Sequence, residues 1–160
     1  MPTGVPSAGG FDLSARFAVR HGSESATGGV QWRHSETADD LLITNPLGQG
    51  VARITRSGAE FELETSNGER YRAPDAETLT QQVLGWSLPL RGLPQWVLAR
   101  PLPGEPAEIA RGDDGRVKSL NQDGWQIDYE QYAGEHPSRV NLAREDLRIR
   151  LVIESWQGGA

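Results

Sequence analysis

The sequence contains no cysteine. This absence excludes disulfides, zinc sites built from thiolates and cysteine nucleophiles. There is also no run of 18 apolar residues, which excludes a transmembrane helix. Lysine is nearly absent, because Lys118 is the only one among sixteen basic residues. The net charge of −6 argues against nucleic acid as a partner.

Motifs that carry chemistry are also missing. The three histidines, His21, His34 and His136, lack a spacing that would place two of them on one metal. The sequence has no Gly-x-Ser-x-Gly, no phosphate-binding glycine loop and no His-Glu-x-x-His. Asp39-Asp40 and Asp113-Asp114 lie beside predicted turns, where carboxylates are commonly solvated, and His34 is expected to be packed. We therefore expect no catalytic residue, no metal and no cofactor.

The length and composition suit one soluble domain. The chain has 160 residues, of which 36% are apolar and 24% charged. Residues 1–10 are mostly Pro, Gly, Ser and Ala, and they lack the basic start and apolar stretch of a secretory signal. We interpret them as a flexible leader or an engineered linker. Residues 11–157 are assigned to a single domain and 158–160 to a tail.

Alternation of apolar and polar residues predicts strands in the first half of the domain. The clearest run is Phe11 to Val19, and the pattern continues in shorter segments as far as Thr65. Asn67-Gly68 then predicts a two-residue hairpin turn before Tyr71. Short connections between these segments indicate an antiparallel meander.

The period changes after this meander and then returns. Residues 74–84 have helical spacing, and a second short helix is predicted over 93–98. Strands resume near Ile109 and end with the alternating run Leu147 to Ile153. About ten or eleven antiparallel strands should curl into a closed or nearly closed barrel, with the helices on its apolar concave face.

The inward-facing positions and the helices supply a set of large apolar side chains. Alternation cannot distinguish a filled barrel from a hollow one, so these residues form either a plain core or the lining of a cavity. A slip of one residue would move a whole strand's side chains to the other face. The candidate interior residues are Phe17, Trp32, Ile54, Phe61, Leu63, Leu79, Val83, Leu90, Trp96, Trp125, Ile127, Leu142, Ile149 and Leu151.

One loop has an unusual tip. Asn45-Pro46-Leu47-Gly48 matches a type I turn, with Asn at the first position, Pro at the second and Gly at the fourth. Leu47 therefore stands at the third position, where a polar residue is usual. Either Leu47 folds back onto the core or is a tolerated exposed leucine, or it projects into solvent to contact lipid or a hydrophobic partner.

At this loop the sequence resembles the family of the outer-membrane lipoprotein-localisation receptor LolB. The resemblance begins with residues 42–48 and covers Phe11 to Trp156. Further segments that match in order are Gly68–Tyr71, Asp75–Glu77, Leu88–Leu90, Gln95–Leu98, Trp125–Tyr129, Pro137–Val140 and Leu147–Leu151.

The resemblance implies a mainly β fold, namely an unclosed antiparallel β-barrel with short helices as a lid over a hydrophobic cavity. It implies a monomeric receptor on the periplasmic face of the outer membrane of a Gram-negative bacterium. Such a receptor accepts acylated lipoproteins from the periplasmic carrier LolA, shields their acyl chains in the cavity and inserts them into the inner leaflet of the outer membrane. By match, Leu47 is the membrane-insertion residue, and the candidate interior residues would contact acyl chains.

Two further matters follow from the resemblance. Family members are anchored through an acylated N-terminal cysteine, which this sequence lacks. We expect an engineered soluble chain without its anchor, with a natural unanchored homologue as the alternative. Two other functions stay open: a generic periplasmic carrier of lipid or small hydrophobic ligands, and an interaction module whose barrel is filled.

Overall fold

The alternating segments of the sequence form strands throughout the part of the chain that is described. The structure, a computed structural model, describes residues 10–158. The predicted leader and tail fall largely at residues 1–9 and 159–160, outside the described residues, whereas Gly158 belongs to the last strand. In chain order the elements are β1 (Phe11–His21), β2 (Glu24–His34), β3 (Ala38–Thr44), β4 (Gly50–Ser57), β5 (Glu60–Thr65), β6 (Arg70–Ala73), α1 (Ala76–Leu84), α2 (Leu93–Trp96), β7 (Glu108–Arg111), β8 (Val117–Gln122), β9 (Trp125–Ala133), β10 (His136–Arg144) and β11 (Leu147–Gly158).

All of these strands belong to one antiparallel sheet. Its order is β6-β5-β4-β3-β2-β1-β11-β10-β9-β8-β7, so the first and last strands of the chain pair at its centre. Within residues 10–158 the two edge strands, β6 and β7, do not pair with each other. The chain between them, residues 74–107, carries both helices and is called the lid here. The predicted unclosed antiparallel β fold is therefore confirmed.

The predicted inward faces are buried along the sheet. The longest example is β11, in which Leu147, Ile149, Leu151 and Ile153 are buried and alternate with more exposed residues. The alternation ends at Glu154, because Ala15 pairs with Ile153 while Ser14 pairs with Ser155. This β-bulge turns the next residue, Trp156, onto the inner face. Its indole nitrogen donates to the carbonyl of Pro137 at 3.0 Å.

The two helices are shorter than predicted. Asp75 is the N-cap of α1 and precedes its first helical residue. Its backbone is extended, and its side chain accepts from the backbone nitrogen of Thr78 at 2.7 Å. Gly85 ends α1 in the left-handed conformation, with φ of 86°. The second helix ends at Trp96 instead of Leu98. No helix among residues 10–158 has the length and apolar character needed to span a membrane.

The turn between β5 and β6 also differs from the prediction. Gly68 donates to the carbonyl of Thr65 at 3.0 Å, and Thr65 donates to the carbonyl of Glu69 at 2.9 Å. The loop is therefore three residues long and closes on a left-handed glycine, Gly68, with φ of 88°. We expected a two-residue turn because Asn-Gly is typical of one. The dipeptide gives no sign that the backbone nitrogen of Thr65 bonds the carbonyl of Glu69, which makes the loop one residue longer.

Candidate functional site

The loop at residues 45–48, called the tip loop here, forms the predicted type I turn. The backbone nitrogen of Gly48 donates to the carbonyl of Asn45 at 2.9 Å. The side-chain oxygen of Asn45 accepts from the nitrogens of Leu47 at 2.9 Å and Gln49 at 3.1 Å. Because one asparagine side chain bonds two backbone groups of the loop, the position of the tip is well fixed.

Leu47 projects from this fixed turn into solvent. Its side chain is 84% exposed, which excludes the alternative that it folds back onto the core. The three-residue loop at Ser66–Gly68 has the same backbone hydrogen bonds and carries Asn67 at the matching position. The turn geometry therefore does not require a leucine. Moving such a side chain from water into an apolar phase is worth about 1.5–3 kcal/mol.

The lid covers an apolar pocket on the inner face of the sheet. Its free volume is only about 30 Å³, against roughly 300–1,000 Å³ for a typical ligand pocket. Side chains from the sheet and from the lid fill the rest of the space. The lining residues are Leu13, Ala15, Phe17, Val30, Trp32, Leu41, Ile43, Trp86, Leu88, Leu93, Val97, Ile149, Leu151 and Ile153.

Four of the candidate interior residues line this pocket: Phe17, Trp32, Ile149 and Leu151. The other ten lie elsewhere in the same apolar interior or pack against it. Their contact with acyl chains stays a prediction. Sequence reasoning missed Trp86 and Leu88 as pocket residues. The available signal was a large apolar side chain in a segment with neither strand nor helix periodicity.

Polar contacts bind one part of the lid to the sheet and another part to helix α1. The side-chain oxygen of Gln122 on β8 accepts from the indole nitrogen of Trp96 at 2.9 Å and the backbone nitrogen of Leu102 at 2.7 Å. The hydroxyl of Tyr129 donates to the carbonyl of Trp96 at 2.5 Å. At the other end, Thr80 of α1 accepts from the backbone nitrogen of Leu88 at 2.8 Å. Helix α2 is therefore anchored to β8 and β9, whereas residues 85–88 are tied to α1.

Burial shifts the pKa values of Tyr129 and Glu77 in this region. Burial raises the pKa of the Tyr129 phenol well above its ordinary value, which keeps it a hydrogen-bond donor. Burial also raises the pKa of Glu77 in the first turn of α1, and the carboxylates of Asp75 and Asp123 add to the effect.

A buried polar cluster corrects the expectation for Asp39, which is only 6% exposed. Its carboxylate accepts from the indole nitrogen of Trp32 at 2.8 Å and from the guanidinium of Arg56 at 2.5 Å, and it is hydrogen-bonded to His34 Nδ1 at 2.6 Å. The partners come from β2 and β4, on either side of β3. This cluster lies at the opposite end of the sheet from the tip loop. Within residues 10–158, no group of three or more histidine or acidic residues could hold a metal.

Comparison with known proteins identifies the family of this chain. The model of the family described as outer membrane lipoprotein LolB matches residues 10–156. The chain belongs to the LolB family. A curated relative from Thiobacillus denitrificans, named outer-membrane lipoprotein LolB, is 45% identical over 154 residues, which cover 96% of this chain and 83% of that protein. A relative of the same name from Nitrosomonas europaea is 38% identical over 154 residues, with 92% and 73% covered.

Solved structures with little sequence similarity share the fold of this LolB-family chain. A LolA-superfamily protein from Nitrosomonas europaea superposes with a TM-score of 0.57 at 11% identity, covering 92% of this chain and 85% of that one. A DUF1329-family protein from Desulfovibrio piger gives a TM-score of 0.60 at 7% identity with the same coverage. At these identities the likeness concerns the fold alone.

Proposed function

We propose that this LolB-family chain is an outer-membrane receptor that takes up acylated lipoproteins, shields their acyl chains beneath the lid and inserts them into the inner leaflet of the outer membrane. Its curated relatives are named as outer-membrane lipoproteins. The domain faces the periplasm of a Gram-negative cell and works as a monomer. Its donor is the soluble carrier LolA, which hands over cargo without covalent chemistry.

The exposed side chain of Leu47 carries this proposal. A turn with the same hydrogen bonds has Asn67 at the matching position, so the turn geometry does not account for a leucine at position 47. Its transfer into an apolar phase is worth about 1.5–3 kcal/mol, which supports brief contact with a bilayer but not stable anchoring. Brief contact suits a receptor that touches the membrane only to release cargo.

The small free volume under the lid supports a pocket that opens for cargo. Much of the filling comes from Trp86 and Leu88, which belong to the lid and not to the sheet. Moving the lid would therefore uncover the apolar inner face of the sheet without disturbing a single strand pair. The filled barrel of an interaction module and the generic lipid carrier are not favoured, because family membership and the tip loop both point to the receptor.

The test is delivery of cargo from lipoprotein-loaded carrier to liposomes. Leu47→Glu places a charge at the tip, so we expect this variant to fold, to accept cargo and to fail in delivery. Asn67→Glu is the matched control, because it adds the same charge at the matching position of the neighbouring turn.

The readouts are cargo bound to the receptor and cargo recovered in the liposome fraction. We expect the Asn67→Glu control to deliver like the unaltered chain. Normal delivery by Leu47→Glu would show that the tip loop does not insert. A generic carrier would still load and unload lipid with the tip loop shortened, whereas the receptor would not.

A further inference from the structure

The outer side of the sheet has a groove at the base of the tip loop. It has a volume of about 530 Å³, and its lining includes Pro46 and Gly48 from the loop. Two arginines, Arg16 on β1 and Arg150 on β11, line the same groove, and no carboxylate does. This is unusual for a chain with 22 acidic and 16 basic residues, so the groove is locally cationic within an acidic protein.

Two neighbours approach Gly28 closely and occupy the space where a side chain would stand in the wall of the groove. Gly28 on β2 has no side chain, and a Cβ there would lie 2.2 Å from the carbonyl of Thr44 and 2.9 Å from the ring of Phe17. The strand pairing of β2 with β3 ends at the next residue, Gly29. Phe17 consequently lines both this groove and the apolar pocket under the lid.

Strand register places more positive charge beside the groove. Arg20 on β1 lies directly opposite Arg148 on β11. Like charges in this position repel each other, and neither arginine has an ion-pair partner among residues 10–158. An adjoining groove is lined by both of them together with Arg150, and Asp128 is its only carboxylate. An anionic ligand would relieve this repulsion.

The register also sets the height of the groove relative to the tip. Arg16 pairs with Gly29, which pairs with Thr44, the last residue of β3. Leu47 lies three residues beyond Thr44, which is at most about 10 Å of chain. The headgroup layer of one leaflet is roughly 5–8 Å thick. When Leu47 reaches the hydrocarbon, Arg16 is therefore at the level of the lipid phosphates.

We propose that the groove between Arg16 and Arg150 binds the phosphate of an anionic membrane phospholipid. The proposal rests on the receptor function proposed above and names the membrane component that the receptor recognises. Leu47 supplies apolar contact and the two guanidiniums supply charge, so the two act together. Phe17 lines both the groove and the pocket under the lid, so the bound headgroup would lie on the outer side of the wall that encloses the pocket.

The competing partners of the two arginines are both exposed and weak. Arg16 pairs with Glu154 at 3.2 Å, with both side chains more than half exposed. The Nε of Arg150 donates to the side chain of Asn141 at 3.1 Å, which leaves its other nitrogens for a ligand. Glu154→Gln should free Arg16 and so tighten binding to anionic vesicles, the opposite direction from loss of the arginines.

The experiment measures co-sedimentation with vesicles of phosphatidylcholine alone and with added phosphatidylglycerol. The Arg16→Gln/Arg150→Gln variant should lose about 25-fold in affinity for the anionic vesicles, because each arginine near such a surface is worth roughly five-fold. The control is Arg53→Gln/Arg72→Gln, which removes two exposed arginines outside the groove. Both variants change the net charge from −6 to −8, since each removes two positive charges.

We expect the control to lose only a few-fold, and we expect 500 mM salt to weaken the unaltered chain far more than the groove variant. Equal losses in the two double variants would overturn the site and indicate general charge instead. Thermal unfolding confirms that all variants are folded.

Cargo delivery to phosphatidylcholine vesicles separates this proposal from the receptor function. If groove and control variants bind alike while Leu47→Glu blocks delivery, the headgroup site is wrong and the receptor stands. If the groove variant loses binding but the unaltered chain never delivers cargo, the site stands and the receptor function is wrong.

Discussion

Removing the indole ring of Trp86 tests whether the lid is the part of the fold that keeps the pocket closed. Trp86 is 8% exposed, lines the pocket and lies with its ring 6.0 Å from that of Phe17. An engineered apolar cavity of about 150 Å³ is enough to bind benzene in another protein. Trp86→Ala should open a void of at least that order beside the existing 30 Å³.

The free energy of unfolding of this variant should fall by about 3 kcal/mol, which is the lower end of the range measured when a buried aromatic residue is replaced by alanine. A domain of this size is commonly stable by about 5–15 kcal/mol, so it should remain folded. Trp125→Ala is the control, because Trp125 is 3% exposed but belongs to β9 and does not line the pocket.

The assay combines urea unfolding with stopped-flow binding of an apolar fluorophore. Both variants should lose similar stability, but only Trp86→Ala should bind the probe more tightly and faster than the unaltered chain. If Trp125→Ala gains as much probe binding, general loosening explains the result and the argument for the lid fails. If neither variant gains, the pocket under Trp86 is not the site that opens.

Two further predictions concern the lid. Tyr129→Phe removes the donor to the carbonyl of Trp96 and should lower the free energy of unfolding by about 1–2 kcal/mol. Amide hydrogen exchange should become faster in α2 but not in β1. Unchanged exchange in α2 would contradict the role of Tyr129 as an anchor. The raised pKa of Glu77 means that its carboxyl contributes stability below its ordinary pKa of about 4.5, and that this contribution is lost as pH rises through the folded value. Glu77→Gln should therefore stabilise by less than about 1 kcal/mol near pH 7 and have no effect near pH 3, as measured by urea unfolding.

The strands and the tip loop could be predicted because their signals are local. Alternation assigned Leu147, Ile149, Leu151 and Ile153 to the inner face correctly, since a two-residue period needs no knowledge of the partner strand. The turn at the tip follows from three residue types at fixed positions. Such features depend on a few neighbouring residues and not on residues that are distant in the sequence.

The burial of Asp39 and the filling of the pocket could not be predicted, because both depend on distant residues. Asp39 is buried only because Trp32, His34 and Arg56 from two flanking strands satisfy its carboxylate. In the same way, the segment around Trp86 shows a large apolar side chain without strand or helix periodicity, but it does not show that the ring fills space between the lid and the sheet. The strand period fixes which face a side chain takes, but not how much room remains there.

A filled pocket makes directional release possible without an energy source. Burial of each CH₂ of an acyl chain is worth about 0.8 kcal/mol, whether the chain enters the protein or the bilayer. In the proposed function, entry into the protein also displaces lid side chains, such as Trp86, Leu88 and Leu93, from their apolar contacts. At about 1.5–3 kcal/mol each, this displacement subtracts roughly 5–9 kcal/mol from binding to the protein but nothing from insertion into the bilayer. Transfer of cargo from the protein to the membrane therefore lowers the free energy, because the lid side chains return to their apolar contacts when the lid closes.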